Sequence, residues 1–212
     1  MTAARFETLT AGVELEFPEY ETPPAEPLGL VRAWVARACE LGVREPKALA
    51  LATADAFGRP SSRIVTIIAI TDAGLLFASH ACSQKGRELS VNPWASGLLY
   101  WRETGQQLIV SGPVVPLSGG ESDDLWFARP VALHPATTVS RQSEPLHDVA
   151  AMRAEITSLE PCAAPLPRPE RFTGYRLEPA TVEFWCASGD RLHRRLQYTR
   201  VRGGWETTRL QP

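Results

Sequence analysis

Arg191, His193 and Arg195 alternate within Arg191-Leu192-His193-Arg194-Arg195, shortly after Glu183-Phe184-Trp185. Alternate residues of an extended segment point the same way, so these three would set two guanidiniums and an imidazole on one face. Guanidinium planes stack on aromatic rings and pair with carboxylates, which suits such a face to a flat, acidic organic molecule. A solvated basic strand is the plainer alternative.

Two other groups carry anion chemistry. Ser83-Gln84-Lys85 follows a strand-like run and opens a helix, where unpaired backbone N–H groups and a lysine can hold a phosphate. A capped surface helix has the same signature. Arg63 precedes a β-branched run, and alternation puts Arg63 and Val65 on one face, Ile64 and Thr66 on the other. An ordinary edge-strand arginine is the alternative; convergence with the Ser83 turn would make a site for a phosphorylated cofactor. His80, His134 and His147 stand alone in the sequence and imply structural or exposed roles, so no metal is assigned. There is no Gly-x-Ser-x-Gly elbow, Walker loop or Gly-x-Gly-x-x-Gly after a strand, so hydrolase, NTPase and Rossmann readings lose their main support.

Positioning these groups requires a sheet. Apolar residues at Leu28, Val31, Trp34, Val35, Ala38 and Leu41 predict a core-facing helix stopped by Gly42. Residues 48–54, 61–70 and 75–79 predict an antiparallel meander with turns at Asp55-Ala56-Phe57-Gly58 and Thr71-Asp72-Ala73-Gly74. A helix capped by Ser83 and stopped by Asn92-Pro93 follows, then strands at residues 96–101 and 107–115. Ser118 caps a helix through Phe127, and Ser143 caps another over residues 146–159 before the Pro-rich linker 161–169. Residues 181–186, 196–201 and 205–209 form the last strands, turning at Ser188-Gly189-Asp190 and Gly203-Gly204. The class is mainly β with peripheral helices, an antiparallel barrel; residues 1–26 form an extended N-terminal segment and 27–212 a single domain.

A net charge of −2 with scattered charges, and lysine only at Lys47 and Lys85, provide no basic stripe for nucleic acid. The four cysteines, Cys39, Cys82, Cys162 and Cys186, fall at no metal or redox spacing. Without a signal core or membrane-length apolar run, the expectation is a soluble cytoplasmic protein.

Taken together, Arg63-Ile64-Val65, Ser83-Gln84-Lys85, Gln107, Arg129-Pro130, Ser140-Arg141-Gln142-Ser143 and Glu183-Phe184-Trp185 through Arg195 resemble the pyridoxine (pyridoxamine) 5'-phosphate oxidase family over residues 25–212. That resemblance implies an FMN-binding split β-barrel, homodimeric, with FMN at the subunit interface. The implied FMN shell is Arg63, Ile64, Val65, Thr66, Ala78, Ser79, Gln84, Lys85, Gln107, Gln142, Ser143, Trp185 and Arg195.

The substrate side departs from the vitamin B6 enzymes. Ile68 stands in place of a phosphate-binding lysine, Leu125 of a tyrosine and Leu133 of a serine, leaving Arg129 as the survivor of that cluster. Losing these charge-assisted bonds weakens a phosphate dianion and favours a larger, flatter substrate. With Phe17-Pro18-Glu19-Tyr20 and Leu98-Leu99-Tyr100-Trp101-Arg102-Glu103-Thr104, the pattern is similar to the phenazine-biosynthesis FMN oxidase branch of the family. The implied activity is oxidation of reduced phenazine carboxylates toward aromatic phenazine-carboxylic acids in antibiotic biosynthesis, with oxygen as acceptor. Arg191 and His193 would grip and orient the substrate, with His193 an optional proton shuttle. A pyridoxine/pyridoxamine 5'-phosphate oxidase and a non-catalytic flavin-binding protein are the alternatives.

Overall fold

The computed structural model of the chain describes residues 15–160 and 164–212. The lead-in before Leu15, and the start of the predicted linker with Cys162, lie outside the described residues. At the other end of the lead-in, Pro18–Tyr20 forms a 3-10 turn, and Phe17 before it is buried against Trp34, ring centroids 5.0 Å apart.

Helix α1 (Pro27–Glu40) starts at a proline whose fixed φ suits the first turn, and ends before Gly42 at φ +69°, a left-handed position that glycine fills without a Cβ penalty. Its Leu28, Val31, Trp34, Val35 and Ala38 are buried on the sheet. The meander follows as β1 (Ala48–Ala54), β2 (Pro60–Thr66), β3 (Ala69–Ile70) and β4 (Leu75–His80). The single strand expected over 61–70 is thus broken. Ile67 N–H donates to Lys47 O on one side at 3.0 Å, and Ile68 N–H to Leu76 O on the other at 2.8 Å, so the chain changes partner there.

Helix α2 (Gln84–Val91), β5 (Trp94–Trp101) and β6 (Gln106–Pro116) come next, then α3 (Gly119–Phe127), α4 (His134–Val139) and α5 (Val149–Leu159). Ser118 makes a full capping box with Glu121. The expected Ser143 cap is not formed: Asp148 caps α5, accepting from Ala151 N–H at 2.9 Å, and Ser143 is left-handed at φ +71°. Strand β7 (Phe172–Leu177), absent from the sequence reading, precedes β8 (Thr181–Cys186), β9 (Arg194–Val201) and β10 (Gly204–Leu210).

All ladders are antiparallel, in the order β10-β9-β8-β6-β5-β1-β2. The length of β6 makes the barrel: residues 106–111 pair with β8, while Val114–Pro116 pair with β7, which pairs with β4. The sheet therefore curls from β2 through β1, β5, β6 and β7 to β4. It closes around Leu49, Leu51, Phe77, Leu99, Leu108 and Leu177. No ladder joins β2 to β4 among the described residues, although the two lie side by side, so the barrel is split along that seam.

Candidate active site

The split seam collects much of the predicted cofactor shell. Arg63 through Thr66 run along β2, whose only ladder among the described residues is with β1, and Ala78 and Ser79 lie on β4 across the gap. Past Leu76, β4 pairs with β7 alone among the described residues, so both seam edges carry backbone groups without ladder partners there. Alternation holds: Val65 is buried in the core, whereas Ile64 projects outward at 63% exposure.

Arg63 and the Ser83 turn do converge. Arg63 Nη1 donates to Thr53 Oγ1 and to Leu51 O at 3.3 Å, and Nη2 to Ser61 Oγ and to Glu88 Oε2 at 3.3 Å. Glu88, on α2, also accepts from Ser61 Oγ, Thr53 Oγ1 and Gln84 Nε2, the last at 2.9 Å. Burial opposes ionisation of Glu88, but the hydrogen bonds from Ser61, Thr53 and Gln84, with the Arg63 charge, hold its carboxyl below the ordinary value. Beside this pair, Lys85 Nζ donates to Ser79 Oγ at 2.9 Å and to Ser83 Oγ and Gln142 Oε1 at 3.3 Å. Burial and the neighbouring Arg63 charge lower the Lys85 pKa. Ser83 Oγ caps α2 through Gly86 N–H, and Ser143 Oγ accepts from Gln84 N–H at 3.0 Å. Lys85 and the hydroxyls at the start of α2 form a cradle suited to an anion, although the Gln84 and Gly86 N–H groups are already taken by Ser143 and Ser83.

A second group lies on the outer face of the sheet. Tyr100 opposes Gln107, Gln107 opposes Trp185, and Trp185 opposes Arg195, a single row across β5, β6, β8 and β9. Their neighbours Leu99, Leu108, Phe184 and Leu196 point into the core. Glu183 Oε1 accepts from Arg195 Nε at 2.7 Å, and that bond raises the arginine pKa. The His193 ring covers Trp185, centroids 4.7 Å apart, and its Nδ1 accepts from Ser188 N–H at 3.1 Å.

The extended face expected at 191, 193 and 195 is not formed. Arg191 sits in the turn at φ +68°, its N–H donating to Ser188 O, and β9 begins only at Arg194. Packing on Trp185, rather than strand alternation, sets His193 beside the row. Arg191 is exposed.

The predicted substrate wall is spread out. Leu125 packs on β7, where a Cβ at Gly174 would meet Leu125 Cδ1 at 2.7 Å, and Leu133 is 46% exposed. Arg129 Nη2 donates to Thr137 Oγ1 at 3.4 Å, its Nε is buried without a partner among the described residues, and burial lowers its pKa. Ile68 lines a cavity of about 280 Å³ with Val35, Ala36 and Cys39 of α1. Among the described residues, no hydrogen bond or ring contact joins the cradle to the Trp185 row.

Sequence reasoning missed Glu88, Thr53 and Ser61. The available signal for Glu88 was its place one turn beyond Gln84 on the same helix. Among the described residues, no cluster of His, Cys, Asp and Glu could hold a metal, and no helix is long and apolar enough to cross a membrane.

Comparison with known proteins identifies the framework. Residues 36–186 match the family model "Pyridoxamine 5'-phosphate oxidase", and residues 172–212 the "Pyridoxine 5'-phosphate oxidase C-terminal dimerisation region". A dihydrophenazinedicarboxylate synthase of Burkholderia lata is 54% identical over 212 residues, all of both chains. A pyridoxine/pyridoxamine 5'-phosphate oxidase of Paraburkholderia phymatum is 41% identical, covering 88% of this chain and 89% of the relative. Among solved structures, PhzG from Burkholderia lata 383 in complex with tetrahydrophenazine-1-carboxylic acid superposes with a TM-score of 0.93 at 55% identity, covering 94% of this chain and 99% of the other. A pyridoxamine 5'-phosphate oxidase-related, FMN binding protein from Nostoc punctiforme shares the fold, with a TM-score of 0.74 at 20% identity over 90% of this chain and 99% of its own. By the extent of these matches and the split-barrel architecture, the chain belongs to the pyridoxamine 5'-phosphate oxidase family.

Proposed function

We propose that the chain is an FMN-dependent oxidase of partly reduced phenazine carboxylates, acting as a homodimer with oxygen as electron acceptor. One contrast within the chain carries this reading. The cradle and the Gln107–Trp185–Arg195 row fit a flavin phosphate and ring, whereas the wall that would grip a substrate phosphate is aliphatic at Ile68, Leu125 and Leu133. The name and the bound ligand of the Burkholderia lata protein support it.

A dimer accounts for the separation of the two groups. Residues 172–212, matched to a dimerisation region, carry Trp185, Arg191, His193 and Arg195. Contact through β8 to β10 would bring this row to the partner's cradle and complete the site between subunits.

The donor set fits FMN. Lys85, Ser79, Gln142 and Ser143, around the start of α2, would hold the phosphate, with Lys85 supplying the charge and Arg63, paired to Glu88, bracing the group from behind. Ile64, Val65, Thr66 and Ala78 would offer seam backbone, and Gln107, Trp185 and Arg195 would border the ring. When bound, FMN supplies a two-electron acceptor that oxygen can regenerate.

Arg191 and His193 would receive the substrate's carboxylate and ring. His193 Nδ1 is engaged as an acceptor, so in the neutral ring the proton lies on Nε2, which donates to the substrate. Orientation by these two groups suffices, because the substrate gains aromaticity as it is oxidised and needs no strong base.

Oxygen uptake by the purified protein separates the readings. Uptake with dihydrophenazine-1-carboxylate and little with pyridoxine 5'-phosphate is expected; the reverse would make Arg129 the relevant survivor and restore the vitamin B6 assignment. No uptake with either would leave a flavin-binding protein.

A further inference from the structure

His80 ends β4 with its side chain fully buried. Its Nδ1 accepts a hydrogen bond from Gln142 N–H at 3.4 Å, and its Nε2 is buried without a partner among the described residues. The neighbouring segment is tied down by Arg171, whose Nε donates to Ser140 O at 3.1 Å and whose Nη2 donates to Thr138 O. Arg171 O in turn accepts from Ala81 N–H, the residue after His80, at 2.7 Å. His80 thus holds the polypeptide directly at Gln142, and Ala81, just past β4, holds it indirectly at Thr138 and Ser140 through Arg171.

What this grip holds is the open side of the cradle. Gln142 Oε1 accepts from Ser79 Oγ at 3.1 Å and from Lys85 Nζ at 3.3 Å, and Ser143 Oγ accepts from Gln84 N–H at 3.0 Å. Residues 141–150 are all exposed, so no buried side chain of the segment pins it. The contacts that tie Gln142 and Ser143 to the cradle are polar, and the Gln142 backbone has its own in His80.

We propose that His80 is a positioning residue: its Nδ1 fixes the Gln142 backbone so that Gln142 and Ser143 stay over Lys85 and the start of α2, where the cofactor phosphate would sit. The inference rests on the FMN reading. It requires neutral imidazole, since a protonated ring has no acceptor to offer. Burial, and then the charges of Arg171 before β7, Lys85 on α2 and Arg129 after α3, lower the His80 pKa to about 4. An isolated histidine in the sequence is thus tied by its neighbours to the acceptor form.

The test compares full-length, flavin-freed wild type with His80→Leu, which removes the acceptor, and His80→Asn, whose Oδ1 restores it. The readouts are hydrogen exchange over residues 140–143 and the FMN dissociation constant from quenching of flavin fluorescence. His80→Leu is expected to speed exchange and weaken FMN by about tenfold, the order expected for one lost neutral hydrogen bond, and His80→Asn to return both toward wild type. Unchanged exchange and affinity in His80→Leu, or equal damage from His80→Asn, would overturn the assignment. Should His80→Leu not fold, affinity measured from pH 6 to pH 4 decides: a fall in wild type that His80→Asn lacks supports the role, and parallel profiles refute it. If wild type binds no FMN, the cofactor reading fails, while exchange without flavin still decides whether His80 holds the segment.

Discussion

Glu88 and Arg63 form an ion pair beside the split seam, Oε2 to Nη2 3.3 Å, with their side chains 8% and 19% exposed. A carboxylate inside an anion cradle neutralises one of its two cations, leaving Lys85 as the uncompensated charge. Removing one partner of such a pair leaves a poorly solvated charge behind. Glu88→Gln is therefore expected to lower unfolding stability by about 2 kcal/mol, part of it recovered in inorganic phosphate, which replaces the lost negative charge. Urea unfolding with and without phosphate checks this; equal losses in both would mean that no anion reaches Arg63.

His193 shields Trp185. His193→Ala should expose the indole, shift its fluorescence to the red and raise KM for the phenazine substrate by tenfold or so, while FMN affinity changes little. Full turnover at unchanged KM would remove the proposed substrate role.

Ile68 and Leu133 are 43% and 46% exposed, so polar replacements there cost little folding energy. The double variant Ile68→Lys, Leu133→Ser is expected to bind pyridoxine 5'-phosphate at least tenfold more tightly than wild type, through the ammonium and hydroxyl groups it regains. Leu125→Tyr is a poorer choice, because Leu125 already presses on β7 at Gly174. Unchanged phosphate affinity in the double variant would mean that these positions do not share a site.

The native pKa of His80, lowered to about 4 from 6.5, gives stability a sign with pH. Between those values the unfolded chain takes up a proton that the native chain refuses, so stability falls as pH drops from about 6.5 toward 4, and this contribution is level above 6.5. His80→Asn should flatten that slope. Denaturant midpoints at pH 7, 5.5 and 4.5 provide the comparison.

Local signals carried much of the architecture. The period of Leu28 to Ala38 and the glycine after it located α1, and turn residues around Ala48–Ala54 bounded β1 as observed. The break at Ile67 and Ile68 was invisible, because both residues favour strands and only the switch of partners from Lys47 to Leu76 interrupts the run. Strand β7 was hidden by Gly174, which weakens the pattern but makes room for Leu117 and Leu125. At the site, the family resemblance named Gln107, Trp185 and Arg195, but their alignment in one row is a matter of register between distant strands. Glu88 was overlooked because an acid on a helix ordinarily faces solvent, and Ser143 resembled a cap because a serine before a helix usually is one.

The most direct measurement of the central claim is the absorbance of the FMN-loaded protein mixed anaerobically with dihydrophenazine-1-carboxylate. The account predicts bleaching of the oxidised flavin band, its recovery on admitting air, and no comparable change with pyridoxine 5'-phosphate. A band that bleaches with pyridoxine 5'-phosphate and not with the phenazine would contradict it.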